Sequence, residues 1–207
     1  MSYEPRVERS QRAPRLPPEQ RRAQLLACAL RVFARRGLGA GRHAEVATEA
    51  GVSVPTVFVY FENRPALVEA VLGEVQRFYL ELGRRVHAVP RSAPAAILAH
   101  AREFAASVDS HPDHARVWLA WSNAVRDEIW PRYLAFEQEI VDLLATTLER
   151  GQGEGSISPE IAPEDGARIS IGAAHMIARM KFSARPESEV ERFMGSVVGS
   201  LAGGLAA

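Results

Sequence analysis

The chain has 207 residues, 47% hydrophobic and 24% charged, which is enough to build one or two small globular domains with an adequate core. Its formal net charge is 0, but the charge is uneven: residues 1–64 hold 11 Arg against 6 Asp and Glu, a net of +5, and the remainder carries −5. A single cysteine excludes an internal disulfide, and the lack of an apolar run of about 18 residues argues against a membrane-spanning helix.

The opening stretch MSYEPRVERSQR has no apolar segment of signal-peptide type, so a cytoplasmic protein is expected. Residues 1–17 read as a polar, flexible arm carrying Arg9, Arg12 and Arg15. Arginines on such an arm suit a narrow DNA minor groove, where negative potential is concentrated, although a solvated tail reads the same way. A first helix is expected from about Pro18 to Arg36, with Leu25, Leu26, Ala29, Leu30, Val32 and Phe33 as its apolar stripe. Cys28 lies within that stripe and reads as a buried core thiol. Gly37, Gly39 and Gly41 end the helix.

The segment Arg42 to Arg64, RHAEVATEAGVSVPTVFVYFENR, then reads as two short helices joined by a tight turn. Ala44, Val46, Ala47 and Ala50 form the apolar side of the first, and Gly51 stands where a left-handed residue must end it. Ser53 is placed to cap the second helix with its hydroxyl, and Pro55 falls in the first turn, where a missing N–H does no harm. In the second helix Val57 and Phe61 share one face, and Thr56 and Tyr60 share another. A helix, a Gly turn and a short helix with hydroxyls on its outer face is the helix-turn-helix pattern that enters a DNA major groove. Candidate DNA contacts are Arg12 and Arg15 on the arm, Arg42 and His43 at the entry of the first hairpin helix, Ser53, Thr56, Val59 and Tyr60 on the second, and Arg64 at the next helix start. His43 also reads as a simple helix cap.

A long helix follows from about Pro65 to His87, with its first half expected to pack on the N-terminal domain and its second half on the body. Further helices are expected at about Ala95 to Asp109, Pro112 to Val125, Glu128 to Arg150, Pro163 to Phe182 and Pro186 to Leu201. Asp127 is placed to cap the third of these, Gly151, Gly153 and Gly155 mark a loop after it, and the terminal GGLAA should fray. No β pattern appears, so the fold class is all-α: an arm over 1–17, a helix-turn-helix domain over 18–64, and a ligand-binding and dimerisation domain over 65–207.

The run from Leu25 through VFARRG and AEVATEAGVSVPTVFVYFENRPALVEAVL resembles the DNA-binding domain of the TetR family. RLPPEQRR, RRGLGAGRHAEVA and VWLAWSNAVRDEIWP are similar to the quorum-sensing master regulators of the LuxR/HapR type within it. The resemblance covers roughly residues 12 to 185. It implies a homodimer that reads a palindromic operator on double-stranded DNA, and a small-molecule cavity in the C-terminal domain. It places Tyr79, Leu82, Trp118, Tyr133, Glu137, Val141 and Ala174 around that cavity, to which the aromatic pattern adds Phe104. Three positions depart from the subgroup. Val59 stands where a polar residue is usual, and so does Val141; Glu137 replaces a neutral amide. Val59 can touch a thymine methyl but cannot hydrogen-bond a base, so a different operator is expected. Glu137 in an apolar pocket needs a cationic or hydrogen-donating partner, unless it lies in a surface salt bridge. For the dimer, Ile169, Gly172, Ala173 and Met176, with Phe193, Gly195, Val197, Val198 and Leu201, supply apolar faces with small residues, which also read as intramolecular core.

Enzyme signatures are absent: there is no G-x-S-x-G, Walker loop or HExxH. His111 and His114 flank a turn and helix start rather than a metal site, and no cofactor is expected. Two other classes stay open: a helical protein that sequesters a small molecule without reading DNA, and an all-α enzyme built on the aromatic cavity.

Overall fold

A computed structural model describes residues 16–203, so the arm with Arg12 and Arg15 and the last four residues lie outside the described part. Among the described residues there are nine helices and no strand: α1 Pro18–Arg36, α2 His43–Ala50, α3 Val54–Tyr60, α4 Arg64–His87, α5 Ala93–Ser110, α6 Pro112–Ser122, α7 Trp130–Gly153, α8 Pro163–Phe182 and α9 Glu187–Gly203. No described helix is long and apolar enough to cross a membrane. The chain forms two compact units that divide between Val71 and Leu72, inside α4, whereas the sequence suggested a division at 64/65 where α4 begins.

The first unit is built from α1 to α3 and the start of α4. Leu25, Val32, Phe33, Val46, Val57, Phe61 and Leu67 are buried there, following the helical spacing that brings residues three and four apart onto one face. Gly37 ends α1 at φ +81° with its N–H donating to the Phe33 carbonyl at 2.8 Å. Gly41 has a different reason to be glycine: a Cβ there would lie 2.9 Å from the Phe33 ring.

The second unit runs from the later part of α4 to α9. α8 packs against α5, α7 and α9, and the core joins Ala93 and Ile97 of α5 to Val141, Leu144 and Leu148 of α7, with Ile157, Ala167 and Leu201. Two expectations are corrected. Asp127 does not cap α7; the backbone turns through Ala124, Asp127 and Trp130 with bonds of 3.0 Å, and the helix starts at Trp130 with no side-chain cap. The glycines after α7 are not all loop: the helix continues to Gly153, and Gly151 is a packing glycine whose Cβ would lie 2.4 Å from the Ala93 Cβ. The reversal is made by Gly155 at φ +71°.

Candidate functional site

The α2–α3 turn follows from its residues. Gly51 adopts φ +66°, its N–H donates to the Thr48 carbonyl at 3.2 Å, and the Val52 N–H reaches back to the Ala47 carbonyl at 3.0 Å. That pair of bonds is a Schellman ending, and it needs the left-handed residue. Val57 and Phe61 then point into the core, with 0% and 2% exposure. Thr56 and Tyr60 are half-buried on another face. Val59 is 80% exposed and Phe58 46%, so the outer side of α3 is apolar and open.

Several expected contacts have other partners. Ser53 occupies the α3 N-cap position, but its hydroxyl makes no cap bond; it lies 2.8 Å from the Thr56 hydroxyl, which links two groups on the exposed side. His43 is buried, its ring stacked on Phe58 at 4.1 Å and 7°. Its Nε2 lies 2.8 Å from the Phe61 carbonyl, and because a carbonyl only accepts, Nε2 carries the proton. His43 therefore ties the start of α2 to the end of α3, a role the cap reading missed. Arg64 donates from its guanidinium to the Leu38 carbonyl and, at 3.3 Å, to that of Gly41, so two of its donors pin the α1–α2 loop. Arg42 is exposed and donates to the carbonyls of Gly39 at 2.9 Å and Gly41 at 3.1 Å.

The basic surplus is also less available than the count implies. Arg31 and Arg35 both bind Glu49, at 2.8 and 2.6 Å, and Arg36 binds Glu45 at 2.6 Å. These exposed pairs add little stability, but their two carboxylates cancel two of the positive charges that α1 contributes.

In the second unit, a cavity of about 80 Å³ opens among α4 to α9, and its envelope reaches about 790 Å³ when adjoining space open to solvent is counted. Tyr79, Phe104, Trp118, Tyr133, Glu137 and Ala174 line it, as the sequence suggested. Leu82 and Val141 do not. Both are buried, but each is turned about its helix away from the lining stripe. On α7 that stripe is Tyr133, Glu137, Ile140 and Leu144, at helical spacing, and Val141 faces the core with Ala93 and Ile97 instead.

Sequence reasoning also missed His100. It follows Phe104 back along α5 by one turn, and that spacing was the available signal. His100 Nδ1 lies 3.0 Å from His87 Nε2, and His87 Nδ1 lies 2.7 Å from the Thr147 hydroxyl. Desolvation pushes both rings down, His100 to about 3 and His87 to about 4, with the Arg150 and Arg91 charges acting further on His87. Both are neutral at pH 7.

Two phenols complete the polar lining. Tyr133 donates to Glu137 Oε1 at 3.0 Å. The Tyr79 hydroxyl is buried with no hydrogen bond; its neighbour Ser107 donates instead to the Phe104 carbonyl at 2.6 Å. Burial raises the ionisation of both phenols well above the ordinary value.

The expected dimer faces split. Ala173 and Leu201 are buried within the unit, and Val197 and Val198 line the cavity. Ile169 and Met176 remain 43% and 45% exposed, and added Cβ atoms at Gly172, Gly195 and Gly199 would meet nothing within 4 Å.

A helix-turn-helix unit joined to a larger helical unit with its own apolar cavity is the layout of a transcriptional regulator. The family described as bacterial regulatory proteins, tetR family, matches residues 25–71. The chain is 32% identical over 192 residues to the HTH-type transcriptional regulator LuxR of Vibrio harveyi, covering 90% of this chain and 91% of that protein. Among solved structures, a TetR-like regulator from Rhodococcus sp. RHA1 aligns with TM-score 0.76 and 19% identity, over 92% of this chain and all 100% of that one. FadR from Bacillus subtilis, solved with stearoyl-CoA, aligns with TM-score 0.74 and 16% identity, over 89% and 99%. The chain belongs to the TetR family of transcriptional regulators.

Proposed function

We propose that the chain acts as a homodimer that reads a palindromic operator through α3 and responds to a small molecule held in the second unit. The observation that carries this reading is the pairing of an ordered Schellman turn with an α3 whose outer side, Ser53, Thr56, Val59 and Tyr60, is left for a partner. Thr56 and Tyr60 supply hydroxyls for phosphate or base edges, and Val59 supplies an apolar contact to a thymine methyl. Arg42 and the arm, with Arg12 and Arg15, supply the charge that the α1 ion pairs withhold. His43 and Arg64 position α2, α3 and the loop rather than reach the duplex. The exposed stripe Ile169, Gly172 and Met176, with Gly195 and Gly199, is the surface offered to a second copy. Two heads on a two-fold axis would read half-sites about 34 Å apart. Similarity to LuxR supports a quorum-sensing type of master regulator, and ligand binding would act by favouring one arrangement of the heads.

Selection of bound duplexes from random DNA tests the reading. A palindrome should be enriched, and its affinity should fall steeply with salt. Removing residues 1–15 deletes four arginines and should flatten the slope of log affinity against log salt by up to about 3.6, near 0.9 per lost phosphate contact. A monomer that binds every duplex with the same negligible affinity at low salt would overturn it.

A further inference from the structure

The cavity has an uneven chemistry. Among its lining residues there is no Lys or Arg, Glu137 is the single acidic residue, and His100 is neutral at pH 7. A carboxylate or phosphate ligand would therefore enter apolar surroundings with no opposing charge and one like charge, a costly arrangement.

The remaining polar groups lean the same way. The Thr147 hydroxyl lies 3.4 Å from the Leu143 carbonyl one turn back, which can only accept. With that proton given to the carbonyl, Thr147 accepts from His87 Nδ1–H, His87 Nε2 accepts from His100 Nδ1–H, and His100 Nε2 is left as an acceptor. The Tyr79 hydroxyl, which can accept as well as donate, makes no hydrogen bond that meets the distance and angle of a good one. Around these groups stand Tyr79, Phe104 and Trp118, whose rings lie 5.2 to 6.0 Å apart. Aromatic walls attract a cation through their negative faces.

We propose that the cavity of the second unit takes an organic cation, an alkylammonium with a short apolar tail, paired to the Glu137 carboxylate. The Tyr79 oxygen and His100 Nε2 offer further acceptors for its N–H groups, and the aliphatic lining from Ile97, Ile140 and Leu144 takes the tail. The inference rests on reading the second unit as the ligand-binding part, and it does not depend on which duplex the first unit reads.

The test uses the full chain at pH 7.5 and three probes of six carbons each: n-hexylammonium, 2-hexanone and hexanoate. Calorimetry should show hexylammonium binding at least tenfold tighter than hexanoate, with the ketone between them. Glu137→Gln, close in shape, should lower hexylammonium affinity about tenfold and narrow the gap to hexanoate. Tyr79→Phe should weaken hexylammonium several-fold, and thermal melts of both variants report that the fold is kept. Equal or tighter binding of hexanoate, no binding of any probe, or an unchanged ratio in a folded Glu137→Gln protein would each overturn the proposal. The outcomes separate from those of the DNA reading: operator binding with no probe bound sinks this inference alone, and hexylammonium binding with no duplex bound sinks the DNA reading alone.

Discussion

The two units of this chain differ in where they hold polar groups, the first mostly at its surface and the second partly in its interior. In the first, the charged groups sit outside in short-range pairs, Arg31 and Arg35 with Glu49 and Arg36 with Glu45, and the core is apolar except for Arg21 and His43. In the second, several polar groups are turned inward: Tyr79, His87, His100, Thr147 and the Tyr133–Glu137 pair lie among apolar side chains. The outward pairs offset most of one another's charge at the surface. An inward array suits a small molecule, because a desolvated polar group gains most from a partner that water cannot replace.

Four substitutions or conditions sharpen that contrast, beginning with the largest. Gly151→Val forces a Cβ to 2.4 Å from Ala93 and should destabilise the second unit by about 3 kcal/mol, read by denaturant unfolding. If stability is unchanged, α5 and α7 are not packed as described. His43→Ala removes a buried hydrogen bond and a stacked ring, and should cost about 2 kcal/mol. The folded variant should keep the same salt slope on its operator; a slope reduced by about 1 would return His43 to the phosphates.

The pH response comes next. The unfolded chain takes up protons on His87 and His100 near 6.5, whereas the folded rings resist until about 4 and about 3. The unfolded state thus binds more protons in that window, so the stability these rings contribute is present above 6.5 and lost progressively as pH falls toward 4. The melting temperature should drop by several degrees between pH 7 and pH 5. His100→Asn, which keeps a short polar group there without titrating, should show a smaller drop. An identical drop would place the pH response elsewhere. Smallest is Gly51→Ala, which strains the left-handed turn by about 1 kcal/mol without a clash, lowering the melting temperature by a few degrees. No loss would mean that the turn relaxes to another conformation.

Legibility followed the range of the interactions involved. The all-α class, the α2–α3 hairpin, the inward pair Val57 and Phe61 and the left-handed Gly51 depend on neighbours within about two helical turns, and the order of residues carries them directly. Tyr79, Trp118, Tyr133 and Glu137 were expected along the cavity because family resemblance added long-range information that periodicity lacks, and Phe104 because of the aromatic pattern. Tertiary packing alone decided the rest. Val141 and Leu82 are as apolar as their neighbours, so a rotation about the helix axis sent them to the core instead of the cavity. The links from His43 to Phe61, from Arg64 to the α1–α2 loop and from His87 to His100 join groups whose partners are 13 to 26 residues away, and a hydrogen bond at that separation leaves no periodic trace in the chain.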